Sequence, residues 1–319
     1  MTDHPIHHSP LYGLASNDRV AHGDLLGLSP ERLAALAGDD KAYHAFTRIT
    51  SGKKRAVTEP LGDLLQVHRR LFDLFDQIEK PDYLHSGVKR RSHVTNARAH
   101  LGDKPTVKID IRRFFPSIDV PRVSRFFSRQ MACAAPVADL LTRLCTFRGH
   151  VPIGSPMSQH LAYFAARPML EDLHRLSMHH DVLFTCYVDD LSFSGAAATP
   201  SFLWRVKQVV HHHRFSYHND HCYRAGECKT ITGVMVTGDT LAVLPRQVEQ
   251  MRRDERAIDK LGVADQRKAL DRLIGRMAAA THIDPRRRKA MKQLVARRAT
   301  LRPDVKPFAA ANGTGRPDQ

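Results

Sequence analysis

The stretch CYVDDLSFSG, residues 186–195, decides the fold of this chain because it places two adjacent carboxylates inside an otherwise apolar run. The apolar and aromatic residues around them are typical of a buried β-sheet and are Cys186, Tyr187, Val188, Leu191 and Phe193. Within such a sheet Asp189 and Asp190 repel each other and resist removal from water. A metal ion, a salt bridge or a tight hairpin turn would each offset that cost, and the dipeptide alone favours the turn.

A third carboxylate lies upstream, where Asp110 stands near the end of the β-rich run VKIDI, residues 107–111. Because Asp110 and Asp189 both sit on predicted strands, they can meet across neighbouring strands of one sheet. Carboxylates that meet in this way can hold a pair of Mg²⁺ ions about 3.5–4 Å apart, which activate a hydroxyl and stabilise a leaving pyrophosphate. Metal ions are therefore the expected countercharge, and Asp110, Asp189 and Asp190 are the candidate catalytic residues.

The bulk composition indicates a polyanionic partner. The chain has 319 residues, 42% of them hydrophobic, with a formal net charge of +16 and a pI of about 10.0. An excess of that size opposes compaction unless a polyanion neutralises it, so nucleic acid is the expected partner and an anionic membrane surface the alternative. Apolar stretches fall short of the ~20 residues of a membrane-spanning helix, the N-terminus lacks a signal-peptide pattern, and the five cysteines are scattered. We therefore expect a cytoplasmic protein with no membrane partner.

The apolar periodicity predicts a mixture of helices and strands. Helical spacing covers residues 29–39, 61–78, 120–131, 136–147, 156–180 with a kink near Pro168, and 200–215. Strand-like alternation covers residues 43–60 as a hairpin around Ser51 and Gly52, 105–111, 182–195 as a hairpin with the aspartates at its tip, and 229–236. Residues 1–40 are interpreted as an N-terminal extension.

The last part of the chain is strongly basic. Residues 245–302 hold 17 Lys or Arg against 7 Asp or Glu, whereas a merely solvated helical face usually mixes charges of both signs. Three helices are predicted here, separated by breaks at Gly262, Gly275 and Pro285. We therefore expect a basic helical domain over residues 241–305, followed by a disordered tail over residues 306–319.

Three elements, in this order, resemble the catalytic core of reverse transcriptases. They are the aspartate strand IDIRRFFPSI at residues 109–118, the loop and helix start VPIGSPMSQHLAYF at residues 151–164, and the hairpin tip YVDD at residues 187–190. Residues 96–100, NARAH, resemble the Asn-Ala-x-x-His signature of the retron group. Residues 231–236, ITGVMV, resemble its Val-Thr-Gly motif, and the whole resemblance covers about residues 43–302.

The resemblance implies an α+β right-hand polymerase. Its fingers and palm, an antiparallel sheet flanked by helices, would occupy residues 41–240, and a small helical thumb would occupy residues 241–305. Members of the group copy part of a cognate structured noncoding RNA into DNA from dNTPs, starting from an RNA 2′-hydroxyl, and produce a branched RNA–DNA molecule called msDNA. They act in antiphage defence beside a separate effector or toxin protein. The alternatives are another bacterial defence-type reverse transcriptase and a catalytically weak RNA-binding protein on the same fold.

For the acidic site, the resemblance implies that Asp110 and Asp189 bind two Mg²⁺ ions. Asp190 would support them, and the carbonyl of Ile111 would complete the metal site. Phe115 matches the steric gate that excludes a ribose 2′-hydroxyl, although core packing explains at least one of the two neighbouring phenylalanines. The other residues expected at the incoming nucleotide are Lys53, Arg55, Arg91, Gly154 and Ser155. For the basic ones among them, a solvated surface position is the alternative.

For the RNA partner, the resemblance assigns Asn96 and His100, which lie four residues apart on one helical face, to support of RNA or the template strand. Local hydrogen bonding is the alternative for this pair. A dense basic patch is expected to contact RNA phosphates and consists of Arg286, Arg287, Arg288, Lys289 and Lys292.

The sequence also departs from the family pattern. The family's loop glutamine is replaced here by Ile153, and its second loop proline by Gln159. The lysine that usually follows the aspartate hairpin is not evident, and His221 is a possible substitute. The histidine-rich run HHHRFSYHNDHC, residues 211–222, fits no standard zinc finger, so an exposed basic helix end is the favoured interpretation.

Overall fold

The computed structural model describes residues 5–16, 25–50 and 53–301. The chain divides into two compact units, residues 1–240 and 241–319. The first unit combines helices with antiparallel strands, and the described part of the second is mainly helical. The predicted α+β class is therefore confirmed. The predicted tail over residues 306–319 lies outside the described residues.

The first unit alternates helical and extended segments. Its α-helices are α1 (Pro30–Leu36), α2 (Gly62–Asp76), α3 (His93–Arg98), α4 (Phe114–Ser117), α5 (Val120–Arg125), α6 (Ala135–Cys145), α7 (Ser158–His179) and α8 (Pro200–His212). Its strands are β1 (Tyr43–Thr50), β2 (Lys53–Pro60), β3 (Thr106–Ile111), β4 (Leu183–Tyr187), β5 (Asp190–Ser194), β6 (Tyr217–Tyr223), β7 (Lys229–Ile231) and β8 (Val234–Thr237). A short strand, β9 (Thr240–Val243), follows at the unit boundary. Among the described helices, none is both long and apolar enough to cross a bilayer.

The central sheet has the strand order β4–β5–β3–β6, and each neighbouring pair is antiparallel. Alternation along β3 buries Val107, Ile109 and Ile111 on one face, where Phe193 of β5 is the register partner of Val107. Asp110 belongs to the opposite face and lies one residue from the end of the strand. The apolar core therefore fixes the register that positions this carboxylate.

An aromatic cluster packs helices together in this core. The ring of Phe75 in α2 lies 5.9 Å from that of Phe126 and 5.8 Å from that of Phe164 in α7. Pro168 lies inside α7, and the carbonyl of Phe164, four residues earlier, accepts a hydrogen bond of 3.2 Å from Gln130 Nε2. The Gln130 side chain thus replaces the backbone N–H donor that Pro168 lacks, and α7 continues past the position of the predicted kink.

The described part of the second unit contains three α-helices, as predicted: α9 (Pro245–Ile258), α10 (Val263–Ile283) and α11 (Arg288–Thr300). The breaks at Gly262 and Pro285 are confirmed, but the predicted break at Gly275 is wrong because this residue lies inside α10. A helical glycine costs only about 1 kcal/mol relative to alanine. Burial of surrounding apolar side chains outweighs that cost, and those side chains include Met251, Leu270, Leu273, Met277 and Leu294.

Two predictions about strands need correction. The single strand predicted over residues 229–236 is two strands, β7 and β8, joined at Thr232 and Gly233. Both residues have positive φ, 45° and 77°, which is the conformation of a type I′ hairpin turn. The polar run over residues 217–223 is not predicted as a strand, yet it forms β6 at the edge of the central sheet.

Candidate active site

The tip of the β4–β5 hairpin is a two-residue turn that presents the first aspartate. Tyr187 and Asp190 are register partners, so Val188 and Asp189 form the turn. Val188 has φ +59°, an unfavourable conformation for a β-branched residue and one in which tight hairpins ordinarily place glycine. Its N–H donates to Ser86 Oγ at 3.0 Å. The neighbouring loop therefore holds a strained turn, as is common at functional sites.

The strand β3 brings the third aspartate to this tip. Asp110 is the register partner of Asp190, and the N–H of Ile111 donates to the carbonyl of Asp189 at 2.8 Å. The three carboxylates are half-buried. The adjacency of Asp110 and Asp189 that the sequence predicts is therefore present, although the two residues are separated by 79 positions in the chain.

The electrostatics of this cluster favour the binding of cations. Burial, followed by the charges of Asp189 and Asp190, raises the pKa of Asp110 from its usual 3.8 to about 6. Burial also raises the pKa values of Asp189 and Asp190, against the opposing positive charges of Arg55 and Lys108 respectively. Ionising all three carboxylates at neutral pH is thus costly without added positive charge.

The residues of the site suit a Mg²⁺ ion that keeps water and substrate ligands better than a metal ion whose ligands are all protein side chains. Asp110 Oδ1 is buried and has no hydrogen-bond partner among the described residues, so one carboxylate oxygen is available as a ligand. Within the described ranges, no group of three or more His, Cys, Asp or Glu side chains is placed to hold a metal ion by itself. Mg²⁺ usually keeps several waters and binds through one or two carboxylates together with substrate phosphates. Asp110 and Asp189 match that incomplete set.

In the metal-free protein, replacing Asp110 with asparagine is expected to raise the free energy of unfolding at pH 7.5 by on the order of 1–3 kcal/mol. The native pKa of about 6 lies above the usual 3.8. Protonated Asp110 therefore stabilises the folded protein at low pH, and this contribution is lost as the pH rises through 6. The amide carries no such cost. Urea unfolding in the presence of a chelator measures the difference, which should shrink as pH falls from 6 towards 4. An equal gain in unfolding free energy at pH 7.5 and at pH 4 would attribute the effect to packing instead of charge.

A residue missed in the sequence also contacts the cluster. His218 on β6 is the register partner of Asp110, and its Nε2 lies 3.8 Å from Asp110 Oδ2. The interpretation of residues 211–222 as a helix end is correct only for His211 and His212, which form the last turn of α8. The low strand propensity of Asn and Asp concealed β6, and the tyrosines at its two ends were the available signal.

No model of a known protein family matches the chain. The retron Mx162 reverse transcriptase of Myxococcus xanthus is 29% identical over 310 residues, covering 83% of this chain and 64% of that protein. The retron Ec48 reverse transcriptase of Escherichia coli is 29% identical over 193 residues, and the retron Se72 reverse transcriptase of Salmonella heidelberg is 25% identical over 175 residues.

The chain is related to the retron reverse transcriptases. The last two of these relatives are covered over 47% and 46% of their own lengths, so this chain spans between about half and two thirds of the relatives named here. A solved foamy viral protease–reverse transcriptase in complex with double-stranded DNA aligns with a TM-score of 0.46 and 13% identity, over 82% of this chain and 41% of that one.

The β1–β2 hairpin carries a cation whose charge acts on the acidic cluster. Arg55 lies on β2, is exposed, and lowers the pKa of Asp189 through its charge. Lys53 begins the same strand, and the position of its side chain is not described. The charge of Arg55 thus acts on Asp189, and its contact with a triphosphate stays a prediction.

The predicted nucleotide contact of Arg91 needs correction. Its guanidinium donates to the carbonyls of Pro81 at 2.6 Å and Leu84 at 2.8 Å, and to Asp82 Oδ1 at 2.8 Å. These bonds hold the loop that leads to Ser86 and the aspartate turn. These acceptors engage Nη1 and Nη2 of Arg91 within the protein, so the structure assigns this residue to support of the site.

The structure shows a close approach of Gly154 to protein. Its φ is +120°, and a Cβ added there would lie 2.7 Å from Val57 Cγ1 on β2. Ser155 is also committed, because its hydroxyl donates to His68 Nδ1 at 2.7 Å while His68 Nε2 donates to the carbonyl of Leu144 at 2.8 Å. Burial lowers the pKa of His68 to about 4 and keeps it neutral. The buried Ser155 side chain is therefore committed to packing within the protein, whereas Gly154 is exposed and its approach to a nucleotide stays a prediction.

The two adjacent phenylalanines differ in burial. Phe114 is buried in the core, whereas Phe115 is half-buried, and their rings meet edge to face at 5.7 Å. Phe115 lies five residues after Asp110, on the short helix α4 that follows β3. Its partial exposure leaves the predicted gate position accessible.

The predicted RNA contacts of Asn96 and His100 need correction because both side chains are fully buried, at 0% exposure. His100 Nδ1 bonds Ser194 Oγ at 2.8 Å, and its Nε2 bonds Thr185 Oγ1 at 2.7 Å. Burial lowers the pKa of His100 to about 3. His100, just after α3, therefore ties this segment to β4 and β5 through contacts that are distant in sequence, whereas the buried Asn96 side chain has no hydrogen-bond partner among the described residues, so the local bonding that was the alternative is not seen either.

The predicted basic patch in the second unit is only partly free. Arg286 and Arg287 lie 2.8 Å and 3.5 Å from carboxylate oxygens of Asp284, so phosphate must compete with an existing partner. Arg288, Lys289 and Lys292 are exposed and form no ion pair with any described residue. These three cations are the better candidates for phosphate contacts.

Proposed function

We propose that this chain is a retron-type RNA-directed DNA polymerase that joins deoxynucleotides by two-metal nucleotidyl transfer. The observation that carries the proposal is the convergence of Asp110, Asp189 and Asp190 at one end of the central sheet, in a chain whose relatives are named retron reverse transcriptases. In this assignment the first unit holds the fingers and palm, and the second unit is the thumb.

The residues of the site have separable roles in this mechanism. Asp110 and Asp189 would hold the metal ions, with Asp190 and the carbonyl of Ile111 in support. Bound Mg²⁺ supplies activation of the attacking hydroxyl and stabilisation of the leaving pyrophosphate. Arg55 adds positive charge beside the incoming triphosphate. Phe115 would lie under the sugar and exclude a 2′-hydroxyl, which selects deoxynucleotides by steric repulsion.

The template in this proposal is a cognate structured noncoding RNA. The net charge of +16 supports a polyanionic partner, and phosphate contacts from the second unit would bind it largely by shape. Priming from an RNA 2′-hydroxyl, branched msDNA as product, a cytoplasmic location and antiphage defence with a separate effector or toxin complete the proposal. These features rest on similarity to the retron group.

A primer-extension assay tests the polymerase. The purified chain should extend a primer on an RNA template with dNTPs and Mg²⁺, and a chelator should stop it. Sequencing of co-purified nucleic acid, with and without debranching treatment, then identifies the RNA and its DNA product. RNA binding without extension would favour the weak RNA-binding alternative, and extension without branched DNA would favour a different bacterial reverse transcriptase.

Substitution of Lys292 with alanine is expected to weaken binding to RNA of any sequence. Loss of one phosphate contact should make the negative slope of log K against log salt concentration shallower by about 1. Titrations over a range of salt concentrations measure this slope. Lys268→Ala is the matched control, because Lys268 is an exposed lysine of the same unit that lies 3.8 Å from Asp265. Equal slopes for the two variants would contradict a specific role for the patch.

A further inference from the structure

The edge strand β6 contains one extra residue at the point where it passes the aspartates. Asp110 is opposite His218, but Lys108 is opposite His221, so two residues of β6 face the single residue Ile109. Asn219 is in the left-handed region with φ +52°, a conformation that asparagine tolerates better than most residues. This arrangement is a β-bulge, a feature that is over-represented next to active sites, where it redirects side chains.

The bulge determines which side chains face the acidic cluster. Regular pairing onward from Asp110 and His218 would place Asp220 opposite Lys108, on the same face as Asp110. The extra residue replaces it there with His221. Asp220 instead forms an ion pair of 2.7 Å with Lys207 of α8. A fourth carboxylate is thereby kept out of a row that already carries costly negative charge.

His218 immediately precedes the bulge and sets a ring nitrogen on one side of the Asp110 carboxylate. His218 Nε2 lies 3.8 Å from Oδ2, within ion-pair range but longer than a direct hydrogen bond. The Asn219 side chain also interacts with Asp110 and lowers its pKa. Oδ1, in contrast, has no partner among the described residues. Contacts of this kind are often long in the free protein and shorten when ligands bind.

We propose that the β6 bulge is a positioning device in which His218 fixes Oδ2 of Asp110 so that Oδ1 is directed at the metal ion. The inference rests on the proposed polymerase function and adds two positioning residues, His218 and Asn219, to it. Neither residue is a metal ligand in this account. Residues that orient a ligand typically change metal affinity about 10- to 100-fold when they are replaced.

The first test measures Mn²⁺ binding to the full chain by electron paramagnetic resonance, without nucleotide or RNA, and the Mg²⁺ concentration for half-maximal primer extension. His218→Leu is expected to weaken both about tenfold, whereas His218→Gln, which retains a donor, should remain within about threefold of the wild type. His179→Leu removes an exposed histidine at the end of α7, which is not part of the central sheet, and should change neither quantity.

The second test separates the bulge from the histidine. Glycine adopts positive φ readily and valine does not, so Asn219→Val should weaken Mn²⁺ binding at least about threefold more than Asn219→Gly. This pair also decides the question if His218→Leu fails to fold. Equal affinities for the two Asn219 variants, or wild-type affinity in His218→Leu, would overturn the positioning role.

Asp189→Asn distinguishes this inference from the function on which it rests. If the wild type binds Mn²⁺ and Asp189→Asn does not, the metal site stands, and the His218 and Asn219 variants judge the positioning role alone. If the wild type does not bind Mn²⁺, or if Asp189→Asn binds it equally well, both the metal-dependent mechanism and the positioning role are overturned.

Discussion

Replacing Asp189 with asparagine is expected to lower the rate of primer extension at least about a thousandfold, which corresponds to about 4 kcal/mol in the activation free energy. The amide retains the size of the side chain but loses the charge that would hold a metal ion. The backbone of the turn should remain in place, because the carbonyl of Asp189 accepts a hydrogen bond from the N–H of Ile111 in either variant. Single-turnover extension on an RNA template measures the rate.

The binding of RNA provides the internal control for this variant. Affinity for the template should remain within about twofold, because phosphate contacts supply most of the binding free energy. Asp139→Asn is a matched substitution at an exposed aspartate of α6, which lies 3.0 Å from Arg143, and it should extend primers like the wild type. Substantial extension by Asp189→Asn would remove the central support for the polymerase proposal.

Replacing Gly154 with alanine is expected to destabilise the protein by about 2–4 kcal/mol. Two costs combine. A φ of +120° is disfavoured for every residue with a Cβ, and the new methyl group would lie 2.7 Å from Val57 Cγ1 and 3.1 Å from the carbonyl oxygen of Thr58. Because β2 also carries Arg55, the displaced hairpin should additionally raise KM for dNTPs.

Gly149→Ala is the matched control for the steric cost. Gly149 also has positive φ, +88°, but an added Cβ there has no heavy atom within 4 Å. Its cost should be limited to backbone strain, about 1–2 kcal/mol. Urea unfolding of both variants gives the difference. If both lose the same stability, close packing of the loop against β2 is not the reason for glycine at position 154.

The acidic centre could be predicted from the sequence because its signals are local. The alternation in VKIDI and in the run around YVDD marks two strands, and the buried faces of those strands fix their register. The strand β6, which also borders the acidic centre, could not be predicted in this way. β6 is made of polar residues at a sheet edge, where burial leaves no periodic apolar pattern.

The failures for individual residues share another physical cause. Whether Arg91 or His100 reaches solvent depends on tertiary packing, and the sequence reports only that each can donate or accept hydrogen bonds. Arg91 finds backbone carbonyls of a nearby loop, and His100 finds hydroxyl groups 85 and 94 residues away. The resemblance placed Arg91 near a nucleotide and His100 near RNA, but a sequence motif cannot distinguish such a contact from one within the protein.

The loop fixed by Arg91 also closes part of an open sheet edge. Leu84 pairs with Cys186 of β4 in a parallel bridge, and the N–H of His85 donates to the carbonyl of Cys186 at 2.8 Å. Backbone groups that are satisfied in this way cannot recruit a strand from another molecule. Loss of Arg91 would uncover them, so its first symptom should be self-association and poor solubility, ahead of any change in chemistry.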